Sequence, residues 1–394
     1  MKEIPLSVPN LNIEIIENLR ECIETGWVST SGRFITEFEE KFSKYVKVSD
    51  AVACQSGTAG LHTALRILGV EPGDEVIVPT LTFIGAVNPV KYNGAYPVFM
   101  DCDDNLCIDA KKLTAFCEEE CSFFEGVLRN KTSGRIIKAI IPVHVFGNLA
   151  NMEAIIDVAN KYGLKVLEDA SEALGSFWSS GKYKGQHAGT VGDIGVFSFN
   201  ANKIITTGGG GMIVSQNQKI LSEARYLVST AKDDSIYFIH NDVGYNYRMQ
   251  NLQAALGVSQ IDELSRFIEI KQKNYLSYKH YLDETPGVSF MEFSDGISTN
   301  HWFYSLLVED EAGCKAGERR DRLLKALLDQ NIQCRPVWRL VHMQKPYKNE
   351  MIYKVSKAEY YESHIINVPC STNLSDCEIQ YVSERIKHFC TEGS

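Results

Sequence analysis

Several features are missing from the sequence, and each absence narrows what the chain can be. No apolar run is long enough to carry a helix across a bilayer, which excludes a helical membrane protein. The first residues, MKEIPLSVPNLNIEII, lack the basic-then-apolar layout of a secretory leader, so a cytoplasmic location is expected. Basic charge is in short supply: 40 Lys and Arg stand against 50 Asp and Glu, a net charge of −10. That balance argues against a general nucleic-acid binder, although a phosphorylated small substrate needs only a local basic patch. The eleven cysteines are scattered. Their tightest group, Cys102, Cys107, Cys117 and Cys121, has spacings of five, ten and four with no histidine nearby, which matches no common zinc pattern. Free thiols and no metal are expected. There is no internal repeat and no low-complexity tract. No GxGxxG follows the first strand, where only Gly57 and Gly60 appear in SGTAG, so a nicotinamide-binding Rossmann enzyme is disfavoured.

What is present is an ordered rhythm. The apolar residues Leu11, Ile15 and Leu19, and then Phe34, Phe38, Phe42 and Val46, recur at helical spacing. Short apolar or β-branched runs follow: AVAC (51–54), EVIVP (75–79), PVFMD (97–101), KAIIPVHV (138–145), KVLED (165–169), GVFSF (195–199) and GMIVS (211–215). Helical segments such as MEAIIDVANKYG (152–163) separate several of them. This alternation predicts an α/β fold with a mostly parallel sheet flanked by helices. After about Asn251 a long helical stretch begins, followed by a strand at HWFYSLLV (301–308) and helices near Ala316–Gln330 and Asp376–Phe389. At 394 residues two units are expected: a large one over 1–255 and a smaller α+β one over 256–394.

Ligands of parallel sheets bind beyond the carboxyl ends of the strands. Small residues, Ser56, Gly57, Thr58 and Ala59, follow AVAC and open a helix, a ready anion cradle. Phe83 follows EVIVP, Asp169 closes KVLED, and Ser198, Asn200 and Lys203 lie at or just past the end of GVFSF, before four glycines at 208–211. Taken singly, these are a helix cap, a core aromatic, another cap and a solvated lysine. Together they supply what pyridoxal 5′-phosphate requires. It needs an amine for its Schiff base, a carboxylate for its ring nitrogen, donors for its phosphate and a flat face beside the ring. The glycine run reads as backbone that must pass close to the lysine, where side chains would collide.

The chain resembles the DegT/StrS nucleotide-sugar aminotransferases, which are fold-type I pyridoxal-phosphate enzymes with an aspartate aminotransferase-like fold and a seven-stranded-type sheet. The resemblance rests on GWVSTSG, SGTAGLHTAL, GDEVIVPTLTF, PVHVFG, EDASEALGS, GDIGVFSFNANKIITTGGGGM and GYNYRMQNLQAALG, in family order over nearly the whole length. It implies Lys203 as the Schiff-base lysine and proton shuttle, with pyridoxamine phosphate as the intermediate cofactor form. It implies Asp169 as the ring-nitrogen partner, Phe83 as the stacking aromatic, and Thr58, Ala59 and Ser198 as phosphate ligands. Asn246 is implied to reach the phosphate from a neighbouring subunit, Arg248 to meet the donor carboxylate, and the assembly to be a homodimer with shared sites. Many members carry Gln or His where this chain has Glu172, next to the cofactor.

The closest resemblance is to members of bacillosamine- and legionaminic-acid-type pathways. It implies transfer from L-glutamate to C4 of a nucleotide-linked 4-keto-6-deoxy-N-acetylhexosamine, with the nucleotide open between UDP and GDP. In RPVWRLVHMQKPY the residues Arg335, Arg339, His342 and Lys345 crowd Trp338 and Tyr347, a segment suited to a diphosphate and a base. Trp27 and Ser29 are implied to border the sugar. A 3-keto-sugar aminotransferase of the same family and a non-catalytic cofactor-binding sensor stay open. Sugar dehydratases of the family replace the lysine by histidine, and Lys203 argues against that branch.

Overall fold

In the computed structural model, which describes residues 3–392, the strand–helix rhythm closes into one eight-stranded sheet. Across it the strands run Ala51–Cys54, Gly211–Val214, Ile194–Ser198, Lys165–Asp169, Ile137–Ile140, Glu75–Pro79, Tyr96–Met100 and Met351–Tyr353. Only Gly211–Val214 runs against its two neighbours. The strands Glu75–Pro79 and Ile194–Ser198 read as nearly unbroken apolar runs because helices cover both faces of the sheet. The eighth strand, Met351–Tyr353, arrives from the C-terminal part of the chain and pairs in parallel with Val98–Met100. A seven-stranded sheet was expected. Three residues are too short a run to stand out in the sequence, and only pairing with the sheet edge makes them a strand.

The helix Arg33–Val46 buries Phe34, Phe38 and Phe42, spaced four apart, on one face. Phe42 meets Phe197 edge-on at 4.9 Å and Phe38 meets Phe199 at 5.1 Å. These rings clamp the strand that delivers Ser198 and, beyond it, Lys203. The helix Asn251–Leu282 opens on a reciprocal Gln250–Gln253 capping box and packs against Arg33–Val46 and Asp376–Glu392. Residue 255 lies inside its first turns. A second, antiparallel sheet runs Val288–Phe290, Tyr304–Val308, Ile365–Val368 and Arg335–Pro336. It presents its Arg335 end toward the large sheet. No helix among the described residues is long and apolar enough to cross a membrane. All eleven cysteines are free, and most are buried.

Candidate active site

A cavity of about 550 Å³ opens where these strands end. One wall is the start of the helix Gly57–Ile67. Ser56 caps it, its Oγ accepting the Ala59 N–H at 3.1 Å. The N–H groups of Gly57 and Thr58 have no partner within the helix and face an anion with the positive end of its dipole. Ala59 was expected among the phosphate donors. Its N–H is spent on the cap and its side chain is buried outside the cavity lining, so it holds the cradle's shape instead. Close packing explains Gly57 and Gly211, and what they approach is the start of this helix and Ser198 rather than Lys203; Gly208 has open space around it. A Cβ on Gly57 would sit 3.0 Å from the Ser198 Cβ, and one on Gly211 would sit 2.6 Å from the Ser56 backbone carbon and 2.7 Å from the Gly57 nitrogen. Backbone cannot yield as a side-chain tip can. Gly211→Ala is therefore expected to weaken phosphate-group binding and destabilise the fold by several kcal/mol, whereas Gly209→Ala, whose Cβ would meet only the flexible Gln253 amide at 3.3 Å, costs little. Thermal melts of the two variants with and without pyridoxal phosphate separate these outcomes.

Opposite the cradle lies a buried polar trio. The Asp169 carboxylate accepts the Ser171 N–H at 3.0 Å. Burial raises its pKa, while the bonds from Ser171 and the charge of Lys203 oppose the rise. The strand end carrying it is fixed from behind. The buried Glu168 carboxylate accepts from His144 Nε2 at 2.9 Å, Gly189 N at 3.0 Å, Val191 N at 2.7 Å and Gly192 N at 2.6 Å. His144 Nδ1 accepts the Ala150 N–H at 3.1 Å, so Nε2 carries the hydrogen. Lys203 Nζ stands 3.7 Å from Glu172 Oε1 and 3.9 Å from the centre of the Trp302 ring. Burial pushes its pKa down, with Glu172 and Asp169 pulling it back up, a setting that favours a free amine. Glu172 Oε2 accepts the Phe146 N–H at 3.0 Å, and burial lifts its carboxyl to about 7 against the pull of Lys203.

Of the residues singled out in the sequence, Ser56, Gly57, Thr58, Phe83, Asp169, Glu172, Ser198, Asn200, Lys203, Arg335 and Arg339 line this one cavity. Phe83 is 56% exposed, an aromatic plate open to a ligand. Others lie elsewhere. His342 faces away, its Nδ1 held by Thr80 Oγ1 at 2.6 Å, because the Val341–Met343 turn tucks it beside the sheet. Tyr347 is buried and bonds Asn88 at 2.5 Å. Trp27 and Ser29 sit in an exposed loop pinned by Asn251, whose Nδ2 donates to Trp27 O at 2.7 Å and whose N–H donates to Ser29 O at 2.6 Å. Asn246 and Arg248 flank Tyr247, whose carbonyl accepts the Gln55 N–H at 2.7 Å, outside the cavity of their own chain. The sequence reading singled out Trp338 but missed the rest of an aromatic wall: Phe146 lies 4.7 Å from Trp338 and 5.3 Å from Phe303, with Trp302 and Phe303 in contact at 4.2 Å. HWFYSLLV signalled a strand, but the strand begins at Tyr304, which leaves Trp302 and Phe303 free to enter the site, while His301 packs against Tyr275 and Phe293.

Comparisons with known proteins show the family. The model of the DegT/DnrJ/EryC1/StrS aminotransferase family matches residues 9–387. The chain is 36% identical to the GDP-perosamine synthase of Escherichia coli O157:H7, covering 100% of each protein. It is 34% identical to the GDP-perosamine synthase of Caulobacter vibrioides, covering 97% of each. The crystal structure of the aminotransferase TlmJ from Streptoalloteichus hindustanus superposes with a TM-score of 0.88 at 25% identity, over 100% of both chains. The family depends on pyridoxal phosphate, and the cavity suits that group. It has a helix N-terminus kept bare by glycine for a phosphate, a buried carboxylate at Asp169 for a ring nitrogen, and a desolvated amine at Lys203. The chain belongs to the DegT/DnrJ/EryC1/StrS family and is a pyridoxal-phosphate-dependent sugar aminotransferase.

Proposed function

We propose that the enzyme moves the amino group of L-glutamate to C4 of a nucleotide-linked 4-keto-6-deoxy-N-acetylhexosamine, giving a 4-amino sugar for glycan biosynthesis of the bacillosamine or legionaminic acid kind. The observation that carries this reading is the single cavity joining Lys203, Asp169 and the Gly57–Thr58 cradle to Arg335, Arg339 and an aromatic wall. Similarity to GDP-perosamine synthases supports C4, since perosamine is a 4-amino sugar. When bound, pyridoxal phosphate supplies a carbonyl that takes up the donor nitrogen and a ring that draws electrons from the carbon losing its proton. Lys203 Nζ removes the proton from the Cα of glutamate and, in the second half of the cycle, delivers one to C4 of the sugar. Asp169 holds the proton of the ring nitrogen. The N–H groups of Gly57 and Thr58 and the Ser198 hydroxyl hold the phosphate, and Phe83 covers one face of the ring.

Arg335 and Arg339 receive the diphosphate. Arg339 is paired with Glu362 at 3.0 Å but stays largely exposed, so its remaining N–H groups can turn to a ligand. A panel of UDP- and GDP-linked 4-keto and 3-keto sugars with L-glutamate tests the assignment by product mass and NMR. A 4-amino product is expected, and a 3-amino product would replace this reading with its nearest rival.

The homodimer is part of the same proposal. Ile236, Tyr237, Phe238, Ile239 and Val243 stand exposed on and beside the hairpin of Lys232–Asp234 and Ile239–His240, an apolar patch that a second copy would cover. The second copy would also bring Asn246 and Arg248 to the cavity they do not reach in their own chain. Sedimentation velocity checks this, and a fully active monomer would rule it out.

Glu172 gives the site a pH dependence. Its folded pKa of about 7 lies above the ordinary 4.5, so the folded chain keeps a proton that the unfolded chain releases between those values. The stability this contributes is whole below pH 4.5 and lost as pH rises through about 7. Cofactor-free wild type is expected to lose on the order of 3 kcal/mol relative to Glu172→Gln between the two ends of that window, read by urea unfolding. A difference between the two proteins that does not change with pH would refute it.

A further inference from the structure

Lys271 is a second buried lysine, and the reaction described above does not use it. It lies midway along the helix Asn251–Leu282 and is 3% exposed. Its Nζ donates to Trp302 O at 2.9 Å and to Cys370 O at 2.6 Å, and bonds no carboxylate among the described residues. An ammonium buried without a counter-charge is costly, and a methionine of similar length would fill the space without that cost. What the lysine adds is its donors. Burial lowers its pKa, with Cys370 opposing, and a neutral amine has two N–H bonds for its two carbonyl acceptors.

The carbonyl it holds belongs to the residue that walls Lys203. The Trp302 indole Nε1–H donates to Asn202 O at 2.8 Å, one residue before Lys203. Its ring faces Lys203 Nζ at 3.9 Å. Its backbone N–H donates to Asn300 Oδ1 at 2.9 Å, and Asn300 Nδ2 in turn donates to Glu172 O at 2.9 Å. Three of the four anchors of Trp302 therefore touch the reactive segment or Glu172, and the fourth is Lys271. We propose that Lys271 is a positioning residue for Lys203: by holding the Trp302 carbonyl it fixes the indole that shields the amine and tethers the Asn202 carbonyl beside it. The inference rests on the reading of Lys203 as the reacting amine. The charged groups facing Lys203 are Glu172 and Asp169, and the titratable groups facing Lys271 are Cys370, His301 and Tyr304, whose ring centre lies 5.4 Å from Nζ.

The test reads Lys203 directly. Cofactor-free wild type, Lys271→Met and Tyr304→Phe are labelled with acetic anhydride across a pH series, and acylation at Lys203 is followed by peptide mass spectrometry. Tyr304→Phe serves as the stability control, because the Tyr304 hydroxyl bonds the Lys271 backbone carbonyl at 2.8 Å without touching the amine. Burial is the largest cause of the lowered Lys203 pKa. A loosened indole admits water, so in Lys271→Met the labelling midpoint rises and labelling at fixed pH below the midpoint slows by about threefold or more. In the loaded enzyme kcat falls by about tenfold or more while KM for L-glutamate stays within about twofold. Adding Lys271→Met to Trp302→Phe lowers kcat no further, since both changes break one chain of contacts. Tyr304→Phe lowers the melting temperature alone. If Lys271→Met yields no folded protein, Lys271→Gln, which keeps a donor on a shorter stem, is read in the same way. A Lys203 midpoint and kcat equal to wild type, beside a lowered melting temperature, would show Lys271 to be a strut only and overturn the proposal. Labelling requires neither cofactor nor sugar, so a wrong donor or sugar assignment leaves this result intact.

Discussion

Replacing Lys203 by alanine is expected to lower steady-state transamination by roughly 10⁴-fold, to the limit of detection. Among the described residues Lys203 is the only lysine lining the cavity, and the two cations that join it there, Arg335 and Arg339, cannot lose a proton at neutral pH. Of these cations it alone can take the Cα proton and return one to the sugar. The cradle and Asp169 are untouched, so pyridoxal phosphate still binds, more weakly, and its visible absorption band is that of the free aldehyde rather than of a lysine adduct. Stability changes in the opposite sense to activity. A buried amine whose charged form burial penalises is removed, so the cofactor-free variant melts no lower than wild type. Glu172 loses the charge that holds it down, so its midpoint moves above about 7. Absorbance with and without L-glutamate and a pH series of melts read all three effects. A variant that still turns over at a tenth of the wild-type rate would remove Lys203 from the mechanism.

The parts of this site that follow a strand in sequence were legible there. Asp169 closes an apolar run, Ser198 and Lys203 sit at and just beyond the end of another, and small residues open a helix after a third, so strand pattern and ligand position coincide. Apart from Trp338, the aromatic wall was not legible, because its members come from three places joined only by the fold. Phe146 takes a left-handed backbone, φ 55°, at the turn after Ile137–Ile140, where its N–H reaches Glu172. Trp302 precedes a strand of the smaller sheet and Trp338 follows another. Basic residues in RPVWRLVHMQKPY suggested one surface, yet the turn at Val341–Met343 sends His342 behind the sheet while Arg335 and Arg339 stay in front. Local composition marks a segment as basic, but the turn within it decides which side chains share a face.

Asp169→Asn is expected to have the second-largest effect. The carboxylate is buried, and burial alone would favour its neutral form. The Ser171 N–H and hydroxyl and the charge of Lys203 act to keep it charged. Its strand end is held by the Glu168 network, four donors on one buried carboxylate, so the position cannot relax toward water. An asparagine fills the same space and offers no negative charge to a protonated ring nitrogen. Loss of one partner from a buried ion pair costs about 3–5 kcal/mol, which corresponds to a fall in kcat of roughly 10²- to 10³-fold or more. Cofactor affinity is expected to fall less, because the phosphate cradle at Ser56, Gly57 and Thr58 is left unchanged. The discriminating measurement is therefore the ratio of the two effects: kcat from single turnovers with L-glutamate, and Kd for pyridoxal phosphate from absorbance. If the variant lost affinity as steeply as rate, Asp169 would be a binding residue, and the electron-withdrawing role assigned to its partner would need another source. If rate alone collapsed, the carboxylate's charge, rather than its shape, is what the reaction requires.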